Sequence, residues 1–188
     1  MLPEISLNIL DIVQNSISAE ATHIEIRVES DSRRHLLTVT VKDNGRGMSE
    51  DALRAVTDPF FTTRTTRTVG LGIPFFKQAA ECTGGTFSIV SACGAGTAVT
   101  AQFHTDHIDC MPLGDVNATI YMLVTMNESV DFSYTYRVDE TSFCLDTGEM
   151  RQILGDVPFH QAEVSEFIRN YLEENETEVN KKAGITGR

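Results

Sequence analysis

Two groups of polar residues have the types and spacing to bind a charged ligand. Asp11 and Asn15 are four residues apart, so on a helix they project from one face and can converge on one ligand. Asp43 stands beside Gly45 and Gly47 in the segment DNGRGM, where the glycines allow tight backbone geometry next to a carboxylate. A carboxylate at the end of a strand is well placed for ligand recognition.

A basic segment downstream has the composition of a phosphate-binding loop. Between Pro59 and Ala80 there is no acidic residue, and Arg64, Arg67 and Lys77 give this segment a charge of +3. The stretch FFTTRTTRTV adds hydroxyls, and VGLGIPFF places glycines where a helix opens. Because helix N-termini bind phosphate, this order favours a polyphosphate site over a solvated basic loop.

Hydrophobic periodicity predicts the elements that position these residues. Apolar residues at helical spacing predict an amphipathic helix over residues 4–18. Alternating residues over 24–28 and 37–41, separated by SDSRR, predict a hairpin whose second strand leads into DNGRGM. Residues 50–57 suit a short helix that ends at Asp58-Pro59. TFSIVSA and TAVTAQFH predict two more strands joined at CGAG.

The pattern breaks at HTDHIDCMPLGD, so we expect a first unit over 1–105 and an acidic extension over 106–188. In the extension, ATIYMLVTM, VDFSYTYRV and TSFCLD predict strands, and EVSEFIRNYLEENETEV predicts a charged surface helix. These strands either enlarge the first sheet or form a small docking unit. Edge pairing of strands offers a route to a homodimer.

Composition and charge exclude several classes of protein. The chain has 188 residues, of which 41% are hydrophobic, as expected for a globular domain. We expect a cytoplasmic protein without a membrane partner, because no apolar run approaches the roughly 20 residues of a membrane helix and the N-terminus lacks a basic start. The net charge is −12, and residues 106–188 carry 16 acidic and 6 basic side chains. Such a field repels nucleic acid.

The four cysteines lack the spacing of a metal site. Cys82, Cys93, Cys110 and Cys144 form no CxxC pair and no ligand pattern with the histidines. We therefore expect free, mostly buried thiols and no bound metal at the cysteines.

Five segments in order resemble the motifs of the GHKL nucleotide-binding family of gyrase B, the heat-shock chaperone ATPase, histidine kinases and mismatch-repair ATPases. DIVQNSISAEAT resembles its N box, DPFFTTR the F box of histidine kinases, and DNGRGM, GLGI and GAGT its three glycine boxes. The similarity covers residues 4–104. It implies an α+β fold, a two-layer sandwich of the Bergerat type in which helices cover one face of a mixed sheet, with a C-terminal α/β extension.

The resemblance implies an adenine site around Asp43. The Asp43 carboxylate would accept a hydrogen bond from the adenine amino group, which favours ATP over GTP because guanine has an oxygen at that position. Gly45 and Gly47 would let the backbone approach the base, Met48 would cover the ring, and Thr97 would add a hydroxyl to the Asp43 network.

The resemblance also assigns the phosphate end of the ligand. Asn15 matches the residue whose side-chain oxygen holds Mg²⁺. Asp11 stands where ATP-hydrolysing members carry a Glu that activates water, and its side chain is one methylene shorter, so turnover is expected to be slow or absent. The ATP lid would supply further nucleotide-binding residues, namely Phe60, Thr63, Arg64, Arg67, Gly70, Leu71 and Gly72.

Three functions are consistent with this site. The first is a small bacterial Mg-ATPase or ATP-dependent switch that acts on a protein partner. The second is a serine/threonine protein kinase like the stand-alone anti-sigma members of the family, and the third is a nucleotide-sensing module that does not hydrolyse ATP. Only Met1 to Ser6 precede the N box, so we do not expect a self-contained sensor kinase with its own phosphoacceptor helix.

Overall fold

The computed structural model describes residues 4–57 and 72–185, in which one or two helices alternate with pairs of strands. The elements in chain order are α1 (Ile5–Ser18), β1 (His23–Asp31), β2 (Leu36–Asp43), α2 (Glu50–Thr57), α3 (Gly72–Cys82), β3 (Thr86–Ala92), β4 (Gly96–His104), α4 (Val116–Met126), β5 (Asp131–Val138), β6 (Thr141–Asp146), α5 (Thr147–Leu154) and α6 (Ala162–Lys182).

The strands of the described residues form one mixed sheet in the order β3-β4-β2-β1-β5-β6. Neighbouring strands are antiparallel, except that β5 runs parallel to β1. The strands β5 and β6, which follow residue 105, thus belong to the same sheet as the strands that precede it. The expected α+β architecture with a mixed sheet is confirmed.

One face of the sheet forms the core. Alternate residues of the strands are buried under the helices, whereas the intervening residues are partly or fully exposed. The buried residues of the four central strands include Ile24, Ile26, Val28, Leu37, Val39, Val41, Val99, Ala101, Phe103, Phe132, Tyr134 and Tyr136. This alternation is typical of a two-layer structure with one open, polar sheet face.

The helix that carries Asp11 and Asn15 is fixed at its N-terminus by the chain that follows β4. Its first free backbone amides donate to the carbonyls of the later segment: Ile5 N to Pro112 O at 3.0 Å and Ser6 N to Leu113 O at 2.9 Å. These bonds satisfy donors that a helix N-terminus otherwise leaves to solvent. Residues beyond 105 therefore help to hold α1 in place.

The strand prediction for ATIYMLVTM is wrong, because this segment forms most of helix α4. Its buried residues recur at helical spacing, namely Val116, Thr119, Ile120, Leu123 and Val124. The side chain of Asp115 caps the helix by accepting from Ala118 N at 2.8 Å. Burial along a helical stripe thus outweighs the β-propensity of the branched residues.

Two further features differ from the expectations. Helix α5 was not predicted; it begins at the cap Asp146, which accepts from Glu149 N at 3.0 Å. The four cysteines, which all lie in the described ranges, are free but not mostly buried. Cys82, Cys93 and Cys144 are exposed, because each occupies a helix end, a turn or the open face of an edge strand.

Within residues 4–57 and 72–185, no helix combines the length and the apolar character that a membrane span requires.

A pH-dependent contribution to stability comes from Glu176 on α6. Burial raises the pKa of Glu176 above its ordinary value, Asp115 adds to the increase, and a hydrogen bond from Asn117 opposes it. Because the folded state binds this proton more tightly than the unfolded state, stability is lost as the pH rises through the raised pKa. We expect Glu176→Gln to increase the melting temperature at pH 7–8 by about 2 °C or more.

The difference in melting temperature between Glu176→Gln and the parent chain should nearly disappear near pH 4, where Glu176 is largely protonated in both the folded and the unfolded state. Calorimetric melting at several pH values checks this, with Glu174→Gln, an exposed position on the same helix, as the control. A gain from Glu176→Gln that is the same at pH 4 and pH 8 would contradict the assignment.

Candidate functional site

Asp43 is a buried carboxylate at the end of β2. Its side chain accepts from Ser16 Oγ at 2.6 Å, from Gly45 N at 2.9 Å and from Thr97 N at 3.2 Å. The residue is only 7% exposed, so these donors offset the loss of hydration around a charged group. They join α1, the loop after β2 and the start of β4 at one point.

Ser16 was not among the predicted site residues. It lies on the same side of α1 as Ile9, Ile12 and Val13, and all four side chains are buried. A hydroxyl at a position where helical periodicity predicts an apolar residue needs a buried partner, which here is Asp43. That break in the apolar stripe is the sequence signal that could have identified Ser16.

The loop after β2 packs against the β3–β4 turn through close backbone contacts. Gly47 has φ = 65° and Gly96 has φ = 81°, in the left-handed region that favours glycine. A Cβ at Gly47 would overlap the carbonyl of Ala92, and one at Gly96 would overlap the carbonyl of Asp43. The first and third glycine boxes therefore pack backbone against backbone, which other residues would prevent.

A second hydroxyl, Ser91, fixes the same contact. Ser91 Oγ accepts from Met48 N at 2.9 Å, donates to Gly96 O at 2.9 Å and lies 2.9 Å from Thr97 Oγ1. The Thr97 hydroxyl therefore faces Ser91, and it is the backbone amide of Thr97 that reaches Asp43. Ser91 was missed because the sequence presents it as an ordinary residue of an alternating strand.

These contacts surround a cavity of about 220 Å³. Its wall combines apolar side chains from α1, the loop after β2, α2, α3 and β4 with six polar or charged residues, which include Asp43 and Asn15. The lining residues are Ile12, Asn15, Ser16, Ser18, Ala19, Asp43, Arg46, Gly47, Met48, Val56, Ile73, Thr97 and Val99. Apolar walls together with a buried carboxylate suit a flat heterocyclic ring that carries a hydrogen-bond donor.

Asp11 lies one helical turn before Asn15, beside the start of α3. Its side chain packs against Gly72, where a Cβ would stand 2.9 Å from Asp11 Cβ and 3.4 Å from Asp11 Oδ2. Asn15 is exposed at the cavity. The structure therefore places Asp11 beside Gly72 at the start of α3, and Asn15 one turn further along α1 at the cavity.

The other residues predicted from the lid lie outside the described residues; they are Phe60, Thr63, Arg64, Arg67, Gly70 and Leu71.

Comparison with known proteins identifies a family. The family model described as histidine kinase-, DNA gyrase B-, and HSP90-like ATPase matches residues 3–107. The chain is 35% identical over 85 residues to the C4-dicarboxylate transport sensor protein DctB of Pseudomonas aeruginosa, covering 45% of this chain and 14% of that protein. It is 32% identical over 106 residues to the sensor histidine kinase ZraS of Escherichia coli K12, covering 53% and 23%. The chain thus spans less than a quarter of the length of either relative.

Structure comparison agrees at the level of the fold. A crystal structure of the N-terminal domain of a DNA repair protein superposes with a TM-score of 0.56 at 14% identity, covering 77% of this chain and 53% of that one.

The contrast between two glycines of one turn tests the backbone contact at Asp43. Gly94 and Gly96 both have positive φ, but a Cβ at Gly94 meets nothing within 4 Å, whereas one at Gly96 overlaps Asp43 O. Gly94→Ala should therefore lower the free energy of unfolding by about 1–2 kcal/mol, the cost of a left-handed alanine. Gly96→Ala should lower it by about 3 kcal/mol or more.

Urea denaturation of both variants provides the measurement. Equal losses of stability in Gly94→Ala and Gly96→Ala would show that the turn does not pack tightly on the Asp43 backbone.

Proposed function

This chain is a member of the family of histidine kinase-, DNA gyrase B- and HSP90-like ATPases, and we propose that it binds Mg-ATP in the Asp43 cavity as a slow ATPase or ATP-dependent switch. Its family membership makes it a histidine kinase-like ATP-binding domain. The nucleotide contacts, the hydrolysis and the protein partner on which a switch would act are parts of the proposal.

The buried Asp43 carboxylate is the observation that carries the proposal. It stands in a cavity that also has apolar walls and is held by Ser16, Gly45 and Thr97, so its position is set before any ligand arrives. A carboxylate accepts hydrogen bonds, and adenine offers an amino group on its edge where guanine offers an oxygen. Adenine would pair with Asp43, whereas guanine would place two acceptors against each other.

Asn15 and the lid form the phosphate end of the proposed site. The exposed amide of Asn15 offers a hard oxygen ligand, which fits a Mg²⁺ ion that keeps most of its waters and the phosphates as ligands. Bound Mg²⁺ would neutralise phosphate charge. The arginines Arg64 and Arg67 and the glycines Gly70 and Gly72 would contact the phosphates, as the motif order favours.

Asp11 is the proposed general base. It shares a face of α1 with Asn15 and lies beside Gly72 at the first turn of α3, so it faces the side on which the phosphates would lie. Its carboxylate is one methylene shorter than a glutamate and packs close to Gly72. Both features limit its reach, which supports slow turnover.

Replacing Asp43 by Asn tests the adenine contact. The change keeps the size of the side chain but removes one accepting oxygen and the charge, so ATP affinity should fall by about tenfold to one-hundredfold. The preference for ATP over GTP should weaken as well. Isothermal titration calorimetry measures both effects.

Asp156→Asn is the matched control for Asp43→Asn, because it removes the same charge from an exposed turn. It should leave ATP affinity unchanged. If Asp43→Asn binds ATP as tightly as the parent chain, Asp43 does not recognise adenine.

Replacing Asp11 tests catalysis separately from binding. Asp11→Asn should lower phosphate release from Mg-ATP by about one-hundredfold, the contribution of a positioned general base, while ATP affinity stays within a few-fold. Asp11→Glu should raise the rate, because the longer side chain reaches further from Gly72. Undiminished release by Asp11→Asn would rule out Asp11 as the base.

Phosphotransfer to a protein is the second candidate, and similarity to sensor histidine kinases favours it. Incubation with γ-labelled ATP distinguishes the candidates. Label on a co-purified protein supports a kinase, such as one of the anti-sigma type, and label released as free phosphate supports the ATPase. Tight ATP binding with neither outcome would indicate a nucleotide-sensing module that does not hydrolyse ATP.

A further inference from the structure

An apolar groove lies between α5 and α6, in a part of the chain that the family match does not cover. Its volume is about 320 Å³, and its lining residues are Met150, Ile153, Leu154, Glu163, Val164 and Phe167. Ile153 is 86% exposed and Phe167 is 55% exposed, although both are large and apolar. Contiguous exposed apolar surface bordered by polar residues is typical of a protein-binding site.

The groove has the character of a protein-docking surface and not of a small-molecule site. A small-molecule site normally combines apolar walls with a few convergent polar groups, whereas the lining here is apolar except for Glu163. Two helices that present apolar residues side by side leave space for the apolar face of a third helix.

The charges around the groove are acidic. Glu163 lines it, and Glu174 lies on the same face of α6 as Glu163 and Phe167 by helical spacing. Glu149 lies in the first turn of α5 and directly precedes Met150, which lines the groove.

The arginines of the two helices are directed to other partners. Arg151, the basic residue of α5, donates to Asp131 Oδ1 at 2.8 Å and lies 4.6 Å from the centroid of Phe159. Arg169, on α6, lies 4.7 Å from the centroid of Tyr121 on α4. The acidic border of the groove is therefore not neutralised by these arginines.

From these charges we propose that the groove binds an amphipathic helix of a partner protein, with apolar residues on one face and Lys or Arg beside them. A second copy of this chain is disfavoured, because each copy has a net charge of −12 and would bring the same acidic border to the contact. The same repulsion disfavours nucleic acid and anionic membranes as occupants. This inference deepens the proposed switch by naming the class of its partner.

The groove is connected to the nucleotide cavity by hydrogen bonds at one end of the sheet. Asn44, next to Asp43, accepts from Thr22 N and His23 N, both at 2.9 Å. Thr22 O accepts from Asp131 N at 2.9 Å, and Asp131 holds Arg151 of α5. A partner on α5 would thus contact a helix that is anchored beside the strand ends bearing the Asp43 site.

The test uses a fluorescein-labelled helical peptide of about 18 residues, with leucines on one face and lysines elsewhere, and fluorescence anisotropy without nucleotide. There are two matched control peptides. One replaces each lysine by glutamate, and the other keeps the composition but scrambles the leucine positions. We expect the leucine–lysine peptide to bind the full chain and both matched peptides to bind more weakly by about tenfold or more. Absence of binding, or equal binding of the three peptides, would overturn the proposal.

Variants locate the binding. Ile153→Ser combined with Phe167→Ser should weaken peptide binding by about tenfold, and Glu163→Lys by a similar factor, whereas Ile108→Ser should have no effect. Ile108 is the matched control because it is 95% exposed and lies outside the groove. Thermal melting of the double variant checks that the fold is kept, which we expect because both side chains are exposed.

Two other measurements separate this proposal from its alternatives. If sedimentation shows that the parent chain dimerises and that the groove variants are monomers, the occupant is a second copy and the proposal is wrong. Asp43→Asn should retain peptide binding, because the assay contains no nucleotide. The peptide assay therefore stays valid even if the Asp43 cavity turns out not to bind nucleotide. The groove proposal is supported if the groove variants lose peptide binding and Asp43→Asn keeps it.

Discussion

A single buried charge organises the end of the sheet where β2 ends and β4 begins. Burying the Asp43 carboxylate alone would be costly. A helix hydroxyl, a loop amide and a strand amide offset this cost because each donates a hydrogen bond to it. Each donor belongs to a different part of the chain, so the charge specifies how α1, the loop after β2 and the start of β4 meet. This arrangement brings the loop after β2 and the β3–β4 turn so close that their backbones touch, and Gly47 and Gly96 leave room for that contact because they have no Cβ.

The sequence predicted several of the residues that meet around this cavity, because local signals agree with the tertiary structure. The apolar stripe of α1, the alternation of β1 and β2, and the glycines of DNGRGM each have a local physical cause, and the motif order related them to a known family. Ser16 and Ser91 were missed because a serine acquires its role from a partner distant in sequence. For Ser16 that partner, Asp43, is 27 positions away.

The later part of the chain was predicted less well for a related reason. In α4, branched apolar residues favour a strand locally. The segment forms a helix because one stripe of its side chains is buried against the rest of the structure and because Asp115 caps the helix. The same part supplies the carbonyls of Pro112 and Leu113 that hold the start of α1. Helix α1 is thus fixed at one end by this later segment and at the other by the hydrogen bond between Ser16 and Asp43.

The parallel pairing of β1 with β5 has a consequence for how the chain folds. Ile24 pairs with Phe132, so the central strand acquires its second neighbour only through contact with residues more than one hundred positions later. Closing so long a loop carries a large entropic cost before any pairing offsets it, and slow folding follows from such non-local topology. During synthesis on the ribosome, the edge of β1 that pairs with β5 stays unpaired until β5 has emerged. In that interval the unpaired edge can pair with other chains, so this is when a chaperone would best protect the nascent chain from aggregation.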